Sequence, residues 1–303
     1  MIDADKCVIC DGEIRCLRRA LVAPFLARRI WNRSAFCVEL VRCGECGFMF
    51  YNPRLEAAEE GRLYAGYRSQ EYHLMRHDSE PWYTTGMNAR LASTDSYERR
   101  RQAIRAILDG QIRHRRVRRV LDYGGDRGDL VRGLVDGADA FVYDISGVPA
   151  VEGVTATGDP ASCKADLIIN SNVLEHVGSP RRLLGEISRS SEAGSLILLE
   201  VPCESPLAWA RIARRVAQIA ITSLMRPALA RWVVRPASLY MMHEHINFFT
   251  AQSLTALMRH CGCAVEAAGV YKVEGPLETG SMAWCLGTNA RLTPDAAKVS
   301  GGP

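Results

Sequence analysis

From residue 117 onward, short apolar runs alternate with longer stretches of mixed polarity. Val117–Tyr123, Ala140–Ile145, Ala165–Asn170 and Ser195–Val201 have strand length, and each ends in turn residues. Between them Asp129–Asp136 and Pro180–Ser190 read as helices, so the pattern predicts a parallel sheet covered on both faces. Thr250 is placed to cap a helix reaching about Cys261, and Gly262 to stop it. Cys263–Tyr271 and Ser281–Thr288 predict two closing strands.

Ahead of the sheet, ERRRQAIRAILDGQIRHRRVRRV sets Ile104, Ile107, Leu108 and Ile112 at helical spacing on a basic helix. Residues 56–98 are polar, aromatic and helix-compatible, while cysteines and aromatic residues crowd residues 1–55. The fold class is therefore α/β. The expected divisions are an N-terminal module at 1–55, a helical linker or cap at 56–115, a main domain at 116–290 and a flexible tail at 291–303. A helical insertion is expected at 205–243 within the main domain.

With 48% apolar and 24% charged residues, 303 residues suffice for one large soluble domain plus a small module. The formal charge of +4 is too mild to imply nucleic acid by itself. MIDADKCVIC has no cationic start before an apolar run, and no stretch reaches the roughly 18 apolar residues of a spanning helix. The expectation is a cytoplasmic protein whose eleven cysteines serve metal or core.

The segment VLDYGGDRGDL (Val120–Leu130) runs from a strand into a glycine turn. Gly124 and Gly128 let the backbone bend and approach a ligand, with Gly125 beside them. A dinucleotide fingerprint would need glycine at 126 and 129, where aspartate stands facing any pyrophosphate. S-adenosylmethionine (SAM) has no phosphate, and Asp122 or Asp126 can hold its ammonium. Asp144 ends the second strand at the place of a ribose-binding acid. Asp159 is a candidate for the adenine amino group, or else a turn residue.

Asp122–Gly128 resembles the first motif of class I SAM-dependent methyltransferases, D-x-G-x-G-x-G, departing from it at Asp126. Asn172-Val-Leu-Glu-His-Val177 is similar to that superfamily's fourth-strand segment, and Leu196–Pro202 to its fifth strand. The resemblance implies a Rossmann-like seven-stranded methyltransferase sheet. It places SAM near Gly124, Gly128 and Asp144, with Asn172 to His176 at the mouth of the pocket.

Cys7-x-x-Cys10 and Cys43-x-x-Cys46 form two knuckles, the second turned by Gly44 and Gly47. Four thiolates favour closed tetrahedral structural zinc in a ribbon-like module. Cys16 and Cys37 are alternative ligands or buried free cysteines. Residues Cys46–Pro53 resemble the N-terminal module of methyltransferases that act on sugar nucleotides.

Two sites offer a base for the acceptor, His176 and the His243-Glu-His245 segment. The sugar-methyltransferase resemblance implies an acceptor or base role for Glu244 and His245. It expects a tyrosine where Met242 stands, for which Tyr240 or His243 could substitute. No Pro-Pro-aromatic turn follows Asn170-Ser-Asn-Val173, which counts against exocyclic base amines.

Between Glu204 and Glu244 there is no acid, but Arg211, Arg214, Arg215, Arg226, Arg231 and Arg235 stand among Trp209, Trp232 and aliphatic residues. The segment reads as a helical lid, as a contact for the diphosphate of a nucleotide-sugar or lipid-linked saccharide, or as a peripheral membrane contact through 205–236. The expected function is methyl transfer from SAM to a hydroxyl or carbon of a sugar in a phosphorylated or polysaccharide-linked acceptor. The alternatives are an RNA methyltransferase, for which the basic segment Arg99–Arg119 would speak, and a non-catalytic SAM-binding or zinc interaction protein.

Overall fold

The computed structural model describes residues 1–67, 69–84, 94–112, 115–274 and 279–290. The tail expected at 291–303 lies outside the described residues. In chain order the first elements are β1 (Ile14–Leu21), α1 (Pro24–Trp31), β2 (Cys37–Cys43), β3 (Met49–Asn52), α2 (Ala57–Tyr64) and α3 (Gln70–Ser79). There follow α4 (Thr94–Gln111), β4 (Arg119–Tyr123), β5 (Asp139–Tyr143), β6 (Thr155–Ala156), β7 (Leu167–Ser171), α5 (Pro180–Ser190) and β8 (Leu196–Pro202). The last are α6 (Trp209–Met225), α7 (Pro227–Val233), β9 (Asn247–Phe248), α8 (Ala251–His260), β10 (Cys263–Glu274) and β11 (Thr279–Asn289). These elements form two compact units, one comprising Met1–Ser96, Glu175–Ser179 and Pro202–Thr250, the other the stretches between and after them.

The second unit is a seven-stranded sheet in the order β10-β11-β8-β7-β4-β5-β6. Strands β6, β5, β4, β7 and β8 are joined by parallel pairings, and β10 and β11 form an antiparallel pair. All five residues of β7 are buried, as a strand covered on both faces requires. On α4, Ile104 and Leu108 pack with Val120, Leu130, Leu167 and Leu196 in one core. The chain lays β5 and β6 on one side of β4, then β7 and β8 on the other. That reversal opens a crevice at the carboxyl ends of β4 and β7, where open α/β sheets bind ligands.

One element departs from the sequence pattern. Asp129–Asp136 is a run of tight turns, not a helix. Gly133 and Gly137 adopt φ of 65° and 74°, and Leu134 and Ala138 bond back only three residues, to Val131 and Val135. Leu130, Val131 and Leu134 still reach the core, so their spacing reported burial without a continuous helix.

The first unit is built on a four-stranded antiparallel sheet, β1-β2-β3-β9. Helix α1 connects β1 to β2, starting at Pro24 and ending at Asn32 with φ 48°. Phe25, Leu26, Leu40, Tyr51, Leu63 and Phe248 share its core. Strand β9 pairs Phe248 with Met49 and Asn247 with Phe50, so a segment some two hundred residues downstream completes the N-terminal sheet. The insertion 205–243 supplies α6, α7 and a 3-10 turn at Pro236–Tyr240 to the same unit.

Candidate active site

In the second unit β4 runs into a backbone cradle. Gly124 and Gly128 have φ of 83° and 78°. A Cβ on either would lie 2.7 Å from a valine methyl, Val173 and Val154 respectively. On Gly125 it would lie 2.0 Å from the Asp122 carboxyl carbon, so that carboxyl sits directly beneath bare backbone. Asp126, where the motif expects glycine, adopts the left-handed φ of 55° that aspartate tolerates better than most residues. Asp144 fixes the loop: its Oδ2 accepts from Asp126 N at 2.9 Å and its Oδ1 from Ser146 N at 2.8 Å.

Asp122 is 1% exposed, and neither carboxylate oxygen has a hydrogen-bond donor among the described residues. Burial, reinforced by Asp144, Glu200 and Asp126 and opposed by Arg100, pushes its pKa up to about 7. An unsatisfied buried acid under a glycine loop fits a cationic amino-acid end and repels a pyrophosphate. Asn170, fully buried at the end of β7, donates from Nδ2 to the Tyr123 carbonyl at 2.7 Å and so ties the two strands at the crevice. Asn172 is exposed with φ 56°, its backbone N–H bonded to Glu200 O. Asp159 is exposed and caps the turn at Pro160–Cys163, accepting from Ala161 N at 3.0 Å.

The basic helix turns Arg100 inward. Arg100 donates to Glu200 Oε2 at 2.8 Å and to the Ser171 hydroxyl, and Tyr271 donates to the same carboxylate. Arg101 donates to the carbonyls of Asp129 and Leu130, Arg105 to that of Leu134, Arg115 to Glu266 and Arg119 to Cys163 O. Arg100 is buried and Arg101 and Arg119 are half-buried, whereas Arg105 and Arg115 stay exposed while making these contacts.

In the first unit, His176, Glu244 and His245 come together with residues that the sequence did not flag. Arg54 is the clamp. Buried, it donates to Gly178 O (3.0 Å), Tyr51 O (2.9 Å), Val177 O (3.1 Å) and Asn247 Oδ1 (2.5 Å), which locks 175–179 against β3 and β9. Ile246 N and Asn247 N both bond to Glu175 O. A Cβ on Gly178 would fall 2.0 Å from Leu55 O, so only glycine fits that approach.

The ring centroids of His176 and His245 are 4.8 Å apart, edge to face. His176 Nδ1 is 3.1 Å from Glu244 O and His245 Nδ1 is 3.2 Å from Glu204 Oε2. Carbonyl and carboxylate oxygens only accept, so both Nδ1 atoms carry protons, leaving each Nε2 as the lone pair of the neutral ring. Burial and the neighbouring His245 drive His176 down to about 4, so it is neutral near pH 7. Burial also opposes charge on His245, but the bond to Glu204 and the field of Glu175 outweigh it and raise its pKa. Glu204 is correspondingly held down to about 2 by His245 and Arg211 against its burial.

Glu244 is held by two side chains of α3. Its Oε1 accepts from Tyr72 (2.8 Å) and Arg76 (2.9 Å). Met242 is buried in the core, Tyr72 on α3 places its phenol against Glu244, and His243 pairs with Glu80. Tyr240 presents only its carbonyl here, to the Tyr51 hydroxyl. The Tyr64 ring stands edge-on to His176, centroids 5.9 Å apart, and its buried hydroxyl has no hydrogen-bond partner among the described residues. Glu80, Trp82, Arg215 and Met241 line a small cavity close to His243.

Residues 96–268, more than half of the chain, match the family described as a methyltransferase domain. The chain belongs to that family. It is an enzyme whose methyl donor is SAM, and the cradle at 122–128 with Asp144 is the candidate place for it. No curated protein matches the sequence. Among solved structures, this methyltransferase is similar to the magnesium protoporphyrin IX methyltransferase of Synechocystis with bound S-adenosylhomocysteine (SAH), at 14% identity and TM-score 0.38, over 63% of this chain and 83% of that one. It is similar to the DszA carbon methyltransferase at 16% identity and TM-score 0.42, over 79% and 68% of the two chains. It is also similar to the plantazolicin methyltransferase BpumL in complex with SAH, at 12% identity and TM-score 0.39, over 73% and 97%. Likenesses this remote say nothing of the acceptor.

The methyltransferase's four knuckle cysteines also converge. Cys7, Cys10, Cys43 and Cys46 bring their Sγ atoms within 4.8 Å of one another, with Cys7–Cys46 at 3.7 Å and Cys10–Cys43 at 3.5 Å. Zinc–thiolate bonds of about 2.3 Å imply tetrahedral edges of about 3.8 Å, so the group fits one zinc ion. Backbone N–H groups of Glu45 and Cys46 point to Cys43 Sγ. Cys16 and Cys37 lie outside the cluster on β1 and β2, and both are exposed, contrary to the expectation of ligands or buried thiols.

Proposed function

We propose that this methyltransferase methylates a hydroxyl or acidic carbon of a sugar in a phosphorylated acceptor, with His245 as base and Glu204 as the residue that positions it. The Glu204–His245 pair carries the reading. A carboxylate-backed imidazole is useful to an acceptor that must lose a proton, as a hydroxyl or carbon acid must, and is superfluous for a thioether. SAM, when bound, supplies a methyl group activated on a sulfonium. The acceptor proton passes to His245 Nε2, while Glu204 keeps Nδ1–H in place and stabilises the imidazolium. Neutral His176, held by Glu244 O, accepts a hydrogen bond from the acceptor at Nε2. Asp122, Asp126 and Asp144 serve the donor's ammonium and ribose, with the glycine cradle beneath.

Tyr64, Tyr72 and the surrounding carboxylates suit a polyhydroxylated acceptor, which donates many hydrogen bonds and stacks on rings. Arg215 supports a phosphorylated one. It is half-buried, has no carboxylate within 4.0 Å among the described residues, and is disfavoured as a cation by burial and by Arg211. Structural zinc at Cys7, Cys10, Cys43 and Cys46 holds the N-terminal turns against β1 and β2.

The test is methyl incorporation from labelled SAM into pools of nucleotide-sugars, lipid-linked saccharides and RNA, with His245→Gln alongside wild type. Saccharide methylation that falls about a hundredfold or more in the variant supports the assignment. Turnover on RNA alone, or turnover indifferent to the variant, sinks it. SAH binding with no turnover on any pool would favour a non-catalytic role.

A further inference from the structure

The outer face of α6 is apolar and exposed. At 100° per residue, Trp209, Ala213, Val216, Ala220 and Leu224 fall within roughly 80° of arc. All five are exposed, Trp209 to 84%, Leu224 to 83% and Val216 to 52%. The inward face instead carries Arg211, Arg215, Ile219 and Thr222, half-buried or buried. A stripe of this size left in water demands a partner. Exposed Val234 follows at the end of α7, where Arg231 and Arg235 lie over the Trp232 ring at 5.1 and 5.4 Å.

The charge of the segment selects the occupant. Residues 205–243 hold six arginines, no lysine and no acid, against +4 for the whole chain, so the remaining residues together carry −2. All of the net positive charge is on the segment that presents the apolar stripe. Arg211 and Arg226 are paired with Glu204 and Asp78, but Arg214 on α6 and Arg231 and Arg235 on and after α7 are exposed. A two-fold contact between copies would set one such segment against another and repel. Among the described residues no helix is long and apolar enough to cross a membrane.

We propose that α6 and α7 form a docking surface for an anionic lipid bilayer, with α6 lying in the interface. Trp209, Val216 and Leu224 enter the acyl boundary, and Arg214, Arg231 and Arg235 meet the headgroups. The surface is independent of the acceptor assignment, because none of these residues touches the histidine cluster.

Cosedimentation of the full zinc-loaded chain with vesicles tests this, comparing phosphatidylcholine alone with phosphatidylcholine containing one-third phosphatidylglycerol, at about 0.15 M salt. The wild type is expected to bind the anionic vesicles and not the neutral ones. Trp209→Ser with Leu224→Ser, and separately Arg231→Gln with Arg235→Gln, should each weaken binding at least tenfold while SAH affinity is unchanged. Equal partitioning into both vesicle types, or variants that bind as wild type does, would overturn the proposal. So would a wild-type dimer in sedimentation equilibrium that the serine variant dissociates, since the stripe would then join two copies.

Discussion

Replacing Asp122 with asparagine keeps the side chain's shape and removes its ionisation. Asp122 is buried, lacks a donor among the described residues, and has its pKa pushed to about 7 from an ordinary value of 3.8. Between those values the folded state keeps a proton that the unfolded chain has released. Stability therefore falls as pH rises from about 4 to about 7, and is flat above. A difference of about three pH decades corresponds to about 4 kcal/mol from this one group. The amide in Asp122→Asn does not titrate, so the two proteins should be equally stable near pH 4. The variant should be the more stable by up to about 4 kcal/mol at pH 7.5, on the order of ten degrees in Tm. On the proposed assignment of this carboxylate to the ligand's ammonium, the same change should weaken SAH binding at least tenfold. Thermal unfolding of both proteins across pH 4 to 8, with and without SAH, measures both effects. Parallel pH–stability curves would refute the reasoning, as would an asparagine variant that binds SAH like wild type.

Three further outcomes follow from the first unit. With His245 as the proposed base, neutral when it acts, and Glu204 raising its pKa, kcat/KM should rise with pH through an inflection above the ordinary histidine value; in Glu204→Gln that inflection moves to lower pH and the plateau drops about tenfold or more. Arg54→Met removes the donor shared by Gly178, Val177, Tyr51 and Asn247, and should lower stability by about 3–5 kcal/mol in denaturant unfolding, whereas a change below about 1 kcal/mol would show that 175–179 is held otherwise. Elemental analysis should find one zinc per chain, lost together with thermal stability in Cys43→Ser and retained in Cys16→Ser, since Cys16 stands outside the cluster.

The parallel sheet was legible because β7 and β8 are buried along nearly their whole length, and such strands read as continuous apolar runs. The glycine turn was legible because its constraints are local: Gly124 and Gly128 need positive φ and space that a Cβ would take. Asp129–Asp136 misled because the same apolar spacing serves a helix or a buried chain of turns. The cysteine pairs announced their cluster through spacing, whereas the exposure of Cys16 and Cys37 depends on which faces of β1 and β2 the sheet covers. Glu204 lies 41 residues from His245, and Tyr72 lies 172 from Glu244. Neither partnership leaves a local pattern, because both arise only when β9 joins the N-terminal sheet and Arg54 binds 175–179. The one sequence clue to Glu204 was its place as the last acid before a long acid-free segment.

Donor binding is proposed for the cradle around Gly124, Gly128 and Asp144. Isothermal calorimetry of SAH against wild type, Gly128→Val and Asp144→Ala tests it most directly. Wild type is expected to bind in the micromolar range, with no detectable binding by Gly128→Val, whose added side chain would meet Val154 and Val142. Asp144→Ala should bind at least tenfold more weakly, with zinc content and circular dichroism unchanged in both. A folded, zinc-loaded wild type that does not bind SAH, or variants that bind it equally well, would contradict the account.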